Sequence, residues 1–364
     1  MPPSSSWRIP VDQKERVEEL KREGRHEDAI PLLREMIDEA ESGADPVTAW
    51  PYHQLAIALR SLDELDEEQA LLERFTQQRH ATGIPPKTLV RRLEKLYEKR
   101  NLLVPTEVSG RQVLWHRDYD CPLEEVPPFT GASLIVDVET TGLSRSDEVI
   151  ELGAVLFRYS LVSGQVLGEL ARYEGQRQPG VPMSSAAARV HGISARELRG
   201  KQLDAAQIET MIGQAKSMIA HNASFDRRFV NPLFPSAAER PWHCSLKACG
   251  WKARGFPSGK LTDILEVVGI ERESSHRALD DSLALLALLG SQTPDENGTY
   301  LLEVLNSRPL RPPRSRRDTS GPRYGGSRGV ASAGGGQVPD QTGCLGGLVV
   351  GLLGCAGTIS RVWS

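Results

Sequence analysis

Cysteine is scarce in this chain and nowhere paired. Cys121, Cys244, Cys249, Cys344 and Cys355 are scattered over 364 residues. Their number is odd and no two stand at C-x-x-C spacing, so neither a zinc-site pattern nor a disulfide framework is indicated. Charge of one sign is lacking too. A net charge of -4 gives no global pull toward nucleic acid or an acidic membrane, and any basic surface has to be local. The opening Met1-Pro2-Pro3-Ser4-Ser5-Ser6 has no apolar run behind basic residues. That excludes a secretory leader there, and a reducing cytoplasmic setting is the expectation. The apolar segment Cys344 to Ile359 falls short of the ~20 residues a spanning helix needs, and each interior glycine costs about 1 kcal/mol of helix propensity. A flexible tail is expected. The four-residue spacing of Gly343, Gly347 and Gly351 keeps a membrane anchor through 344–359 as the alternative.

What is present suits a globular chain with a real core: 39% hydrophobic and 25% charged residues. Its length predicts two domains plus tails. Residues 1–10 read as a flexible N-terminus. From 11 to 103, Val17, Leu20, Ala29, Ile30, Leu33, Met36 and Ile37 recur at helical spacing. A helix, a turn at Gly24 and a second helix are echoed around Leu55 to Leu72, and Lys87 to Arg100 forms a fifth helix. The pattern resembles tetratricopeptide-type hairpins, with a period longer than the usual ~34 residues. It predicts an all-α domain offering a groove to a protein partner, or simply a packing domain. Residues 104–131, with Pro105, Pro122, Pro127 and Pro128, read as a linker. From 132 to 290, strands come first and then helices alternate with short strands, which predicts an α/β fold: a mixed sheet covered by helices. Residues 291–364 read as a basic tail, with Arg308, Arg311, Arg314, Arg316, Arg317, Arg323 and Arg328 among Pro, Ser and Gly.

Within the α/β region, Leu134-Ile135-Val136-Asp137-Val138-Glu139-Thr140-Thr141-Gly142-Leu143 reads as a buried strand with two acids at its centre. Side chains alternate along a strand, so Asp137 and Glu139 point the same way. Two neighbouring carboxylates repel, and withdrawal from water adds to the cost. A hard divalent cation with oxygen ligands is the natural compensation. A strand whose outer face happens to carry acids is the plain alternative.

Two further acids decide between these. Asp226 ends His221-Asn222-Ala223-Ser224-Phe225-Asp226 at a strand-to-helix junction, and Asp281 starts the last helix in His276-Arg277-Ala278-Leu279-Asp280-Asp281. Acids in a first helical turn are favoured by the helix dipole and can reach a neighbouring strand end. Asp137, Glu139, Asp226 and Asp281 together would hold two magnesium or manganese ions about 3.5–4 Å apart. His276 is the natural general base, since imidazole is near-neutral at working pH.

Taken in order, Asp137-x-Glu139 with Thr140-Thr141-Gly142-Leu143, His221-Asn222-x-x-Phe225-Asp226 and His276-x-Ala278-x-x-Asp281 resemble the three motifs of the DEDDh exonuclease family, which includes the proofreading epsilon subunit of bacterial DNA polymerase III. The resemblance runs from about Ala132 to Leu289. It implies a ribonuclease H-like fold and metal-dependent 3′–5′ exonuclease activity that releases nucleoside monophosphates from single-stranded or frayed 3′ ends. It further implies that Thr140, Thr141, Gly142 and Leu143 line the terminal nucleotide, with Leu143 wedged against the base, and that Asn222 and Phe225 steady the scissile region. His191, in Val190-His191-Gly192-Ile193, matches a family loop. Asp280 is the second choice for the last acid, and Arg227 and Arg228 are candidate phosphate contacts, a solvated helix face being the equal alternative. The chain departs from the family at Trp242-His243-Cys244-Ser245-Leu246, where Asp-Thr-Leu is common. Two other readings stand beside the enzyme: a catalytically silent nucleic-acid binder that kept the fold, and a scaffold. The motifs suit DNA and RNA equally.

Overall fold

Periodic burial builds the N-terminal region. In the computed structural model, which describes residues 9–272, 276–293 and 298–311, the helices α1 (Val11–Arg22), α2 (His26–Ser42), α3 (Ala49–Ser61), α4 (Leu65–Gln77) and α5 (Lys87–Lys99) follow one another. Helix α2 shows why. Ala29, Leu33, Met36, Ile37 and Ala40 are buried, a stripe at three- and four-residue spacing that faces the neighbouring helices. Tyr52 and Phe75 pack ring to ring at 4.6 Å between α3 and α4.

The stretch expected as a linker is instead a small antiparallel sheet: β1 (Leu103–Val108), β2 (Arg111–His116) and β3 (Cys121–Pro122), in that order. Its prolines are what suggest a linker. Pro105 lies on the edge strand β1 and Pro122 at the end of β3, positions where a missing N–H costs no central ladder bond. Two 3-10 turns, Leu123–Glu125 and Pro127–Phe129, bury Leu123, Pro128 and Phe129.

Next come β4 (Thr130–Thr140), β5 (Val149–Ser160) and β6 (Val166–Gln176), then α6 (Ser185–His191), α7 (Ala205–Gln214), β7 (Ser217–Ala220), α8 (Ala223–Leu233), α9 (Pro235–Ala238), β8 (Trp242–Cys244), α10 (Ser245–Ala248), α11 (Leu261–Val268), α12 (Ala278–Gly290) and α13 (Tyr300–Asn306). The sheet order is β6-β5-β4-β7-β8; β4, β5 and β6 are antiparallel, while β7 and β8 run parallel to β4. This is the mixed sheet the pattern of elements predicts. Its two faces divide the strand's alternation cleanly. Leu134, Val136 and Val138 join the α7 and α8 core with Ile212 and Val230. Ile135 joins the other core, with Leu285 and Leu288 of α12 and with the N-terminal helices, including Leu93 and Tyr97. The helical region and the sheet therefore share one continuous apolar interior.

Helix α13 falls where a tail was expected. Thr299 caps it, its hydroxyl accepting from the Leu302 N–H at 3.2 Å, and Tyr300, Leu301, Leu302, Val304 and Leu305 are buried. The arginine-rich sequence from 312 on and the apolar segment 344–359 lie outside the described residues. Among the described residues no helix is long and apolar enough to cross a membrane.

Candidate active site

Register decides what surrounds the two strand acids. Asp137 of β4 stands opposite Gly153 of β5, and Glu139 opposite Glu151. Gly153 is there because α12 lies directly on it. A Cβ at that position would come within 2.1 Å of the Ala278 carbonyl carbon, so any side chain would push α12, and Asp281 with it, off the strands. The helix start is then fixed by a clamp. Glu151 is fully buried and accepts from Arg277 Nη2 at 2.8 Å, from the Ala278 N–H at 3.1 Å and from Gln176 Nε2 at 2.8 Å. Burial alone would raise its pKa, but these donors hold it below the ordinary value. Arg277 also reaches Glu174 at 2.8 Å. Immediately before Arg277, His276 adopts a left-handed φ of 61°, a conformation uncommon outside glycine and held here by the pinned neighbour.

The structure brings Glu139, His276 and Asp281 together: a ligand atom from each lies within 4.8 Å of the others. Asp137 and Asp226 stand outside that triad but within its field. Burial raises the Asp137 carboxyl well above its usual value, and repulsion from Asp226, Asp281 and Glu139 raises it further. Glu139 is pushed up to about 8 by burial and by Asp281, Glu151 and Asp226. Asp226, on the first turn of α8 and 4% exposed, rises to about 7 through burial, although the backbone N–H of Val138 counters part of it. Burial raises Asp281 as well, offset by the guanidinium of Arg272, which pairs with it and also donates to Thr262 at 3.1 Å. Among the described residues no ion pair reaches Asp137, Glu139 or Asp226. Clustered carboxylates with one arginine between them suit hard divalent cations, which take oxygen ligands.

Beside Glu139 a pocket of about 200 Å³ is lined by Thr140, Gly142, Leu143, Val190, His191 and Phe225, among others. The loop that forms its rim is tied from within. Asp147 accepts from Thr141 Oγ1 at 2.9 Å and from the Ser144 N–H at 2.7 Å. Its carboxylate occupies the space a Cβ on Gly142 would need, 2.7 Å away. Arg228 donates to the Leu143 carbonyl at 3.0 Å and lies over the Phe229 ring at 4.5 Å. So anchored, the loop leaves the Leu143 side chain 80% exposed, an apolar group held in water at the pocket mouth. His191 is buried, its Nδ1 accepting from the Ile193 N–H at 3.0 Å while Nε2 has no partner.

Two candidate contacts stand apart from this pocket. Thr141 is fully buried and its hydroxyl is committed to Asp147 and to the Glu148 N–H, so it shapes the loop and does not line the pocket. Asn222, exposed at the N-terminus of α8, is absent from the pocket lining. Arg227 reaches the carbonyls of Leu310 and Arg311 at 3.2 and 2.8 Å. Glu151, Arg277, Arg272 and Gly153 are not singled out by sequence reasoning. Glu151 carries the same signal as Asp137, a lone acid inside the apolar run Val149-Ile150-Glu151-Leu152.

A mixed five-stranded sheet flanked by helices, with acids gathered at one strand end, defines a ribonuclease H-like nuclease domain. The family model described as Exonuclease matches residues 134–289. DNA polymerase III subunit epsilon of Buchnera aphidicola is 30% identical over 170 residues, covering 43% of this chain and 69% of that protein. The PolC-type DNA polymerase III of Halalkalibacterium halodurans is 30% identical over 179 residues, covering 47% of this chain. The chain spans only 12% of the length of that PolC-type relative. Among solved structures, E. coli exonuclease I in complex with a dT13 oligonucleotide aligns at 18% identity and a TM-score of 0.37, over 43% of this chain and 40% of that one. This chain belongs to the exonuclease family, of the DEDD 3′–5′ type.

Proposed function

We propose that the protein is a metal-dependent 3′–5′ exonuclease that hydrolyses phosphodiester bonds at nucleic-acid 3′ ends and releases nucleoside monophosphates. The observation that carries this reading is the group of carboxylates around the end of β4, of which Asp137, Glu139 and Asp226 have no ion-pair partner among the described residues and are pushed above their ordinary pKa. A fold that gains nothing from such repulsion keeps it for a ligand. Asp137, Glu139, Asp226 and Asp281 would hold two magnesium or manganese ions, which when bound would supply a nucleophilic water at neutral pH and stabilise charge on the leaving oxygen. The chain's own side chains do the rest. Leu143 and Phe225 receive the terminal base in the pocket, while Thr140 and His191 border its sugar. His276 accepts the proton of the attacking water as the new phosphorus–oxygen bond forms. The bond from phosphorus to the 3′ oxygen of the next nucleotide breaks, and that oxygen takes a proton from solvent as His276 returns its own to solvent. The Arg277–Glu151 clamp keeps His276 facing the acids.

A 5′-labelled single-stranded oligonucleotide incubated with magnesium tests the proposal. Stepwise shortening from the 3′ end, with free mononucleotides, stopped by chelator, is expected. Intact oligonucleotide under every metal condition, or shortening indifferent to chelator, overturns it.

A further inference from the structure

One further feature involves none of the four acids. A cleft of about 470 Å³ forms where three parts of the chain meet: the loop after α4 with Arg79 and His80, the α8 to β8 region with Arg227 and Arg240, and the stretch after α13 with Arg308 and Arg311. Those five arginines face a single carboxylate, Glu239. Some arginines elsewhere find acids, as Arg60 and Arg92 find Glu68 and Arg254 finds Glu303; what sets this cleft apart is that five gather on one lining. Here, among the described residues, none of the five forms an ion pair. Arg79 donates to the carbonyls of Ala44 and Glu239, Arg227 to those of Leu310 and Arg311, and Arg240 to those of Ile212 and Gly213. Carbonyl oxygens orient a guanidinium without neutralising it. Burial disfavours the charged form of Arg227 and of Arg240, and Arg79 adds repulsion at Arg240.

A second observation marks the cleft as polar space. His80 lines the cleft at 5% exposure, and its Nε2 has no partner; the side-chain oxygen of Asn231, also on the lining, is buried and unpartnered. Buried polar atoms are normally satisfied, so these two mark polar space; an amide oxygen only accepts, so Asn231 calls for a donor such as a sugar hydroxyl. The anionic, forked part of the ligand's chemistry is set by the guanidinium groups, which recognise phosphates.

We propose that this cleft binds the sugar-phosphate backbone of a nucleic-acid strand, at a distance from the acids that act on its 3′ end. A chain of phosphates, unlike a single free phosphate, uses arginines spread over three segments. The placement fits: Arg227 directly follows Asp226 on α8, so one helix carries both an acid of the site and a wall of the cleft. The sequence beyond Arg311 continues with Arg314, Arg316 and Arg317. This inference rests on the exonuclease reading for the identity of the strand, and the cleft lies partly outside the family-matched residues, on Arg79, His80, Arg308 and Arg311.

Fluorescence anisotropy with a labelled single-stranded oligonucleotide, on the full chain and in chelator so that no hydrolysis intervenes, tests it. The variants are Arg308→Gln with Arg311→Gln, and separately Arg79→Gln, each checked by thermal melting. Roughly tenfold weaker binding at low salt is expected for the double variant, with the slope of log affinity against log salt reduced by about 0.7 for each phosphate that the protein no longer neutralises. Arg79→Gln should show the same direction and a smaller change. Affinity and slope unchanged in both overturn the proposal. Inorganic phosphate forms the second arm: if the variants lose phosphate binding but keep the oligonucleotide, the cleft serves a free anion and the proposal falls. A wild-type protein that binds through the cleft yet never shortens a strand with magnesium would overturn the exonuclease reading and leave the cleft standing.

Discussion

Glu68 and Glu139 are both glutamates drawn out of water, and the molecule treats them in opposite ways. Glu68, on α4 and fully buried, receives Arg92 Nε at 2.8 Å and the guanidinium of Arg60. The N-terminal helices carry its counter-charges as permanent parts. At the end of β4 the same residue type stands among three aspartates with no arginine of its own, and its carboxyl is pushed up to about 8. Glu151, directly across the ladder from Glu139, shows that burial alone does not decide the outcome: it is fully buried, yet Arg277, the Ala278 N–H and Gln176 hold it below its ordinary value. Acids that serve the fold carry their counter-charges with them, and the acids proposed to hold a cation are left in deficit.

The largest effect that would break this contrast comes from removing a charge in deficit. Asp226→Asn, or Asp137→Asn, is expected to abolish nucleotide release while raising the melting temperature in chelator, because repulsion is relieved. Lost activity with an unchanged or lower metal-free melting temperature would mean that the acids are not in conflict. Next in size, His276→Ala should slow turnover by roughly 10²–10⁴-fold, the range for a positioned acid–base group, measured as single-turnover rates at saturating metal. A rate near wild type would remove His276 from the chemistry. On the compensated side, Glu68→Ala should cost about 3 kcal/mol in denaturant unfolding, the low end for breaking a buried pair, since Arg60 and Arg92 keep some contact with water. A cost below about 1 kcal/mol would class the pair with ordinary surface bridges.

The smallest expected effect is a pH dependence. Asp226 and Glu139 have folded-state values of about 7 and about 8, above those of an unfolded chain. The folded protein therefore binds more protons than the unfolded one between those limits. Their contribution to stability is full below the unfolded value, near 4, and is lost as the pH rises through 7 and 8. Melting temperatures in chelator should fall from about pH 5 to about pH 9, and divalent metal should flatten that decline. A metal-free melting temperature that climbs over the same range would contradict the deficit.

Much of this is legible in the order of amino acids alone, for reasons that differ by element. The stripe Ala29, Leu33, Met36, Ile37 marks α2 because helical period and burial coincide. Asp137 and Glu139 stand out because charge inside a β-branched run needs an explanation, and their shared face follows from strand alternation alone. Long-range pairing is not legible. Nothing local connects Arg277 to Glu151, 126 residues away, and the need for Gly153 exists only once α12 lies on the sheet. Composition misleads twice. Prolines on the edge strand β1 and at the end of β3 pass for a linker, and Leu301-Leu302-x-Val304-Leu305 of α13 is hidden by the arginines that follow. That the Thr141 hydroxyl turns inward to Asp147 while its neighbours line the pocket is likewise not legible.

Manganese binding followed by electron paramagnetic resonance, on the wild type and on Asp226→Asn, bears most directly on the central contrast. Saturable binding in the wild type, weakened at least tenfold in the variant and untouched by Glu68→Ala in folded protein, is the predicted result. Manganese bound equally by wild type and Asp226→Asn, or not bound at all, would contradict it.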